Sequence, residues 1–309
     1  MTYKICSVLV TYNRLGDLKK TLQAYLNQTI KPDYLIIVDN ASTDGTDKYL
    51  QEWVARNSNA MNLILVHSDT NVGGAGGFSL GIQKALELDC DFVFLADDDA
   101  TPYEDMFEKL IDFYSRTSDK NEIAALCTAV IDQYGFSGIQ RGRIKRGLCS
   151  IKREKISQKE YQTETLDVDL LTFVGALIKK SVIQKIGLPI SEYFIHEDDA
   201  EYSTRIRKEG RIICVTASKI FHLNGGLNVK NWVEYYTTRN YIDYIGRHYQ
   251  KRYVRYAIVD KYIRKCSVIA LLMRHRSKEF RKMNLVAIRD GKAGRLGVSS
   301  VYYPGRDIK

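Results

Sequence analysis

"KICSVLVTYNRLGDLKKTLQAYL", residues 4–26, carries the two signals that decide the fold. Residues 4–12 form an apolar, β-branched run without polar alternation, the mark of a strand buried on both faces of a parallel sheet. Leu15, Leu18, Leu22, Tyr25 and Leu26 then recur at helical spacing. The alternation continues downstream. "YLIIVDN" (34–40), "NLILVHS" (62–68) and "CDFVFLADDD" (90–99) read as strands. "TDGTDKYLQEWVARN" (43–57) and "GGFSLGIQKALEL" (76–88) read as the helices between them. Strands alternating with helices predict βαβ units, hence an α/β fold with a mostly parallel sheet flanked by helices. Ligands of such sheets bind beyond the carboxyl ends of the strands. The strands here end in Thr11 and Asn13, in Asp39 and Asn40, in His67 to Asn71, and in Asp97 to Asp99.

Three adjacent aspartates weaken any strand that carries them unless something offsets their repulsion. A divalent cation shared at the strand end does so, and could then bridge the phosphates of a nucleotide. The competing structural reading is a helix start, with Thr101 and Glu104 as a capping box and Pro102 at the first helical position. That box leaves all three aspartates unexplained. "NVGGAGGF" (71–78) has four glycines in five residues, which permits close backbone approach to a ligand and also suits a plain strand-to-helix turn. It is neither the G-x-G-x-x-G fingerprint nor a P-loop.

Composition sets the remaining bounds. The 309 residues fit one large domain or one domain with an appendage. An apolar content of 45% supplies a core. The start, "MTYKICSVLV", lacks the features of a signal peptide, and the longest apolar stretches, such as "VIALLM" at 268–273, fall short of a membrane span. Six scattered cysteines without a CxxC pair point to a reducing cytosol rather than to zinc or disulfides. The net charge of +9 is uneven: from Arg239 onward 18 Lys/Arg face 5 Asp/Glu, and the preceding residues are mildly acidic. A basic tail on an acidic body points to an anionic partner, membrane surface or nucleic acid.

"SVLVTYNR", "LIIVDNASTDGT", "NVGGAGGF" and "FLADDDA", in this order, resemble the family 2 glycosyltransferases, as do "FVGALIKKSVIQKIG", "FIHEDDAEYSTRIRKEG", "IFHLNGG", "YYTTRN" and "AIRDGKAGRLG" in the second half. The resemblance implies the GT-A fold, with a Rossmann-like sheet, and inverting sugar transfer. It divides the chain into a catalytic domain at 1–230, with a nucleotide-binding half to about 100 and an acceptor half beyond, and a basic helical extension at 231–309. Within the family the glycine stretch with a triple aspartate resembles galactofuranosyltransferases, and rhamnosyltransferases have a similar stretch.

Residue by residue, the resemblance makes Thr11, Tyr12, Asp39, Asn71, Gly73, Gly74, Gly76, Asp97 and Asp98 the donor nucleotide site, Asp39 accepting from the uracil N–H. It makes Asp97, Asp99 and His222 the shell of Mn²⁺ or Mg²⁺, a nitrogen donor suiting Mn²⁺ better. A strand-end histidine without a ligand role is the plainer reading of His222. The catalytic base falls in "HEDDAEY": aligned on Arg205 it is Asp199, aligned on "HED" it is Asp198. Asp198 with Glu201 also reads as an N-cap pair for a helix running to about Lys208 and stopped by Gly210. Where galactofuranosyl members carry a tryptophan before the acidic pair, this chain has Glu197.

From Trp232 to Tyr256 the sequence reads as a basic amphipathic helix. Ile242, Ile245, Tyr249, Tyr253 and Tyr256 form its apolar face, and Arg247, Lys251, Arg252 and Arg255 lie opposite. "KCSVIALLMRHRSKEFRK" (265–282) repeats the theme. Such a helix lies on anionic membrane, which fits a polyprenyl-linked glycan acceptor and a cytoplasmic enzyme at the inner face of the cell membrane. The alternative is packing on its own domain or on a twin subunit in a homo-oligomer. A nucleic-acid binder leaves the aspartates unexplained and would set them against phosphate, so no nucleic acid is expected. An inactive sugar-nucleotide-binding homologue would have lost metal or base residues, and neither motif is lost.

Overall fold

The computed structural model describes residues 3–223, 232–267 and 277–305. The first half follows the sequence closely: β1 (Ile5–Thr11), α1 (Leu15–Leu26), β2 (Tyr34–Asp39), α2 (Thr46–Asn57), β3 (Asn62–His67), α3 (Gly73–Leu86) and β4 (Phe92–Asp97). β3, β2, β1 and β4 lie side by side and parallel. β1 is buried along its whole length. Cys6, Val8 and Val10 face one core with Phe78 and Ile82 of α3, and Ile5 and Leu9 face the other with Leu18, Leu22, Leu50 and Trp53 of α1 and α2. Each fully buried aliphatic side chain contributes about 1.5–3 kcal/mol relative to exposure, so the unbroken apolar run is what a two-faced strand requires. α3 begins at Gly73, three residues before the predicted start, so the glycines belong to the helix and not to a turn before it. A Cβ at Gly77 would sit 2.6 Å from Val10, and one at Gly81 would sit 2.2 Å from Val8. Bare backbone lets the helix lie close against β1.

After β4 comes β5 (Ala100–Pro102), then α4 (Met106–Arg116). The predicted capping box is therefore absent. Thr101 is a strand residue paired with Phe221, and the helix starts at Met106. The chain continues through β6 (Ile123–Asp132), β7 (Gly135–Phe136), β8 (Arg141–Arg146), β9 (Ile151–Lys155), β10 (Thr165–Val168), β11 (Leu170–Leu171), β12 (Ala176–Lys179), α5 (Lys180–Ile186), α6 (Asp198–Glu209) and β13 (Arg211–His222). The main sheet runs β10-β13-β6-β12-β4-β1-β2-β3, with β12 antiparallel to both neighbours. β8, β9 and β11 make a small second sheet. The six cysteines are all unpaired.

Helices α7 (Val233–His248), α8 (Lys251–Cys266) and α9 (Lys278–Lys292) follow. The single helix expected over Trp232–Tyr256 is thus two, broken at Tyr249 and Gln250. Its predicted lipid face is mostly internal: Ile245 and Tyr253 pack with Tyr244 and Ala257, and Ile242 is buried as well. Half of the second amphipathic segment, 265–282, lies outside the described residues, between Ser267 and Ser277. Among the described residues no helix is long and apolar enough to cross a membrane.

Candidate active site

The strand register gathers the polar ends as the sequence implies. Thr11 pairs with Asp39, Asp39 with His67, and Val10 with Asp97. His222, more than a hundred residues away, arrives because the end of β13 pairs with β5 and sets it opposite Ala100. Asp97, Asp99 and His222 consequently place ligand atoms within 4.8 Å of one another. His222 Nε2 lies 3.2 Å from Asp99 Oδ1, yet Asp99 Oδ1 and His222 Nδ1 are both buried with no hydrogen-bond partner among the described residues. Buried polar atoms are normally satisfied. An orphaned carboxylate oxygen beside an imidazole nitrogen, in an oxygen–nitrogen set, fits a divalent cation, and these residues could hold one. Burial and the neighbouring Asp99 push Asp97 up to about 7. Burial also acts on Asp99, but the His222 imidazole and Arg14 outweigh it and hold that carboxyl below its ordinary value.

Asp98 turns the other way. It is buried, and its Oδ2 accepts from Thr11 Oγ1 at 2.7 Å and from the Tyr12 N–H at 3.3 Å. Arg14 pairs with both Asp98 and Asp99. Thr11 and Asp98 thus tie β1 to the end of β4, while Tyr12 is exposed at the edge. Asp39 is buried, with Oδ1 accepting from the Ser42 N–H at 3.0 Å. It forms a second acidic group with Asp47 and His67, but those two are open to solvent, and among the described residues no orphaned atom marks the place. Asn71 spends its Oδ1 on the Gly73 N–H at 2.8 Å and on Asn40. Gly73 has φ +75°, and a Cβ there would meet the Phe194 carbonyl oxygen at 2.0 Å. Gly76 is closed by Val72, whereas Gly74 faces open space. A cavity of about 950 Å³ adjoins Arg14 and Asp99 and runs toward α1, bounded by Tyr103, Phe221 and Leu223.

Asp198 and Asp199 open α6, but the predicted Asp198–Glu201 cap is not formed. The N-cap is Glu197, in left-handed conformation at φ +70°, with no side-chain cap bond. Glu201 instead binds Arg205, at 2.8 Å, and His248 of α7, also at 2.8 Å. Gly210 ends the helix as expected. Asp198 is buried, and its carboxyl is pushed well up by burial and by Asp199. Asp199 is only partly buried; burial and Glu197 raise its carboxyl too, and its Oδ1 accepts the Ala200 N–H at 2.6 Å. Glu197 is bound in turn by Arg153 of β9, whose guanidinium lies 5.7 Å from the Tyr241 ring and 5.4 Å from the Tyr244 ring.

The profile of the family described as "Glycosyl transferase family 2" matches residues 6–187. The galactofuranosyltransferase GlfT1 of Mycolicibacterium smegmatis is 30% identical over 220 residues, 70% of each chain. The chain belongs to glycosyltransferase family 2. The dTDP-rhamnosyl transferase RfbF of Shigella flexneri is 24% identical over 235 residues, 74% of this chain and 72% of that one. Among solved structures, GalNAc-T7 with UDP, GalNAc and Mn²⁺ superposes with a TM-score of 0.63 at 15% identity, covering 94% of this chain and 56% of the other. The likeness establishes the GT-A fold expected from the motifs, and the protein is a glycosyl transfer enzyme.

Reasoning from the sequence missed three residues that adjoin the candidate site. Arg14, two residues past Tyr12 in the quoted "TYNR", neutralises the aspartate turn. Arg153 lies in a stretch with no motif, and its pairing with Glu197 depends on how the β8–β9 hairpin folds over α6. Phe194 packs with Trp232 and Tyr236 of the tail while its carbonyl accepts the Ala75 N–H at 3.2 Å. The only sequence signal for such long-range partners was an excess of arginine and aromatic residues.

Proposed function

We propose that the protein is an inverting, metal-dependent galactofuranosyltransferase. It moves galactofuranose from UDP-galactofuranose to a lipid-linked cell-surface glycan. The observation that carries this is the half-buried Asp97–Asp99–His222 set, its ligand atoms within 4.8 Å of one another and Asp99 Oδ1 orphaned, on a chain whose curated relatives include a galactofuranosyltransferase. The base-bearing turn lies near enough for Asp97 to add to the upward shift of Asp198. A cation held by Asp97, Asp99 and His222 would offset the diphosphate charge as the leaving group departs. Thr11, Tyr12, Asp39, the Asn71–Gly76 segment and Asp98 form the donor side, with Asp39 accepting from the base and Thr11 and Asp98 fixing the strand ends behind it. Asp199 takes the proton of the acceptor hydroxyl as that oxygen attacks the sugar from the face opposite the diphosphate. Of the two residues, Asp199 is the more exposed.

The acceptor side is served by the tail. α8 turns Tyr256, Val259, Tyr262 and Ile263 outward among exposed Lys251, Arg252, Arg255 and Arg264. Such a mixed face suits the headgroup layer of an anionic membrane, and a lipid-linked acceptor would be met there, at the inner face of the cell membrane. A rhamnosyl transfer from dTDP-rhamnose is the second reading, favoured by the relative from Shigella flexneri. A panel of nucleotide sugars, assayed for Mn²⁺-dependent release of UDP or dTDP, separates the two. Release from UDP-galactofuranose alone supports the first; release from dTDP-rhamnose alone replaces it. Asp99→Ala should abolish Mn²⁺-dependent UDP binding in a folded protein, and UDP–Mn²⁺ binding like that of the wild type would remove the metal assignment.

A further inference from the structure

Arg239 and Asn240 belong to α7, in the tail, and make no contribution to the donor or acidic motifs. Both are buried completely. A buried guanidinium normally faces a carboxylate, but this one faces main-chain oxygens. Its Nη1 donates to the Gly297 carbonyl at 2.6 Å, and its Nη2 to the Glu192 and Tyr193 carbonyls at 3.1 and 3.2 Å. Its Nε donates to Asn240 Oδ1 at 2.8 Å, which fixes the amide so that Nδ2 points the opposite way. That nitrogen lies 2.9, 3.0 and 2.9 Å from the carbonyls of Tyr193, Ile195 and His196, and its two N–H groups serve all three, one of them shared.

The segment so held leads directly into Asp198 and Asp199. Three of its non-glycine residues, Phe194, His196 and Glu197, have φ of +67°, +64° and +70°. L-residues rarely adopt that region, and clusters of it persist only where the surroundings over-determine them. Here every carbonyl from Glu192 to Glu197 has a partner. Arg239 and Asn240 take those of 192, 193, 195 and 196; the Ala75 N–H takes that of Phe194, and the Glu201 N–H takes that of Glu197. The segment is therefore gripped from the tail on one side and from the glycine helix of the donor half on the other. A segment that only had to connect two elements would need neither.

We infer that Arg239 and Asn240 are positioning residues for the base: they hold residues 192–197 in the strained path that presents the first turn of α6 to the acceptor. The inference rests on the reading of that turn as the source of the base. It also gives the "TTRN" stretch of the tail a role in catalysis apart from any membrane.

The test uses full-length Asn240→Ala and Arg239→Lys, with wild type and Asp199→Asn beside them. UDP affinity is measured by calorimetry with Mn²⁺. Transfer is measured as kcat against pH with a synthetic alkyl glycoside acceptor that the wild type turns over. The expected result is a UDP Kd within about threefold of wild type and a kcat lower by about 10–100-fold, the scale of a displacement near 1 Å at the reacting centre. The acidic limb of kcat should shift, because Asp199 leaves its present surroundings. Unchanged kcat in a folded variant overturns the inference. So does a loss of UDP affinity matching the loss of kcat, which would mark a merely structural role, and so does failure of both variants to fold. If Asp199→Asn turns over like wild type, the base assignment falls, and the inference falls with it for that separate reason.

Discussion

Replacing Asp199 by asparagine keeps size, shape and the oxygen that accepts the Ala200 N–H, and removes only the capacity to take a proton. Asp199 makes no salt bridge among the described residues, so its neutralisation breaks no ion pair and should leave the melting temperature unchanged or higher. A carboxylate whose folded pKa is raised costs stability when ionised, and the cost vanishes when the charge is removed. Transfer should fall by about 10²–10⁴, equivalent to roughly 3–5 kcal/mol on the barrier. UDP and metal affinity should hardly move. Asp198→Asn is the control: Asp198 is buried and likewise makes no salt bridge among the described residues, so the variant should fold at least as well as wild type. Its transfer should fall less, because a general base must come within hydrogen-bond reach of the acceptor hydroxyl and Asp198 is the less exposed of the two. The assay is initial-rate UDP release with saturating donor and Mn²⁺, run with thermal melts on the same preparations. A reversed ranking with both proteins folded and binding UDP normally would move the base to Asp198. Wild-type turnover in both would refute the assignment of this motif.

The neighbours of Asp199 predict opposite pH shifts. Glu197→Gln removes a like charge and should move the acidic limb of kcat to lower pH; Arg153→Met leaves Glu197 unpaired and should move it to higher pH, and shifts of the same sign would sink the electrostatic account. His196 and Asp198, also near this group, stay unchanged in both. Gly81→Ala should cost about 1–3 kcal/mol, because its Cβ meets Val8 at 2.2 Å; an unchanged denaturant midpoint would show that α3 can move away from β1. Replacing Lys251, Arg252 and Arg255 by glutamine should weaken binding to phosphatidylserine-containing vesicles in a salt-dependent way while leaving soluble-acceptor turnover intact. Equal vesicle binding would turn the reading of α8 toward packing or self-association.

The order of strands and helices through residue 97 was legible in the sequence, because apolar runs and helical periodicity are local and the carboxyl ends of parallel strands must share an edge. So were the aspartates of that edge and, through motif resemblance, the distant His222. What stayed hidden needed partners far along the chain. Whether Thr101 caps a helix or joins a strand depends on β13 coming alongside, a choice no local pattern records. Whether Asp198 caps α6 depends on the path of residues 194–197, where three left-handed non-glycine residues lie in a segment whose carbonyls are held by Arg239, Asn240 and the Ala75 N–H. The apolar face of residues 242–253 is equally compatible with lipid or with protein, since hydrophobic burial has no direction. The fold's core resolves that by covering Ile242, Ile245 and Tyr253 and leaving the outer face of α8 in solvent.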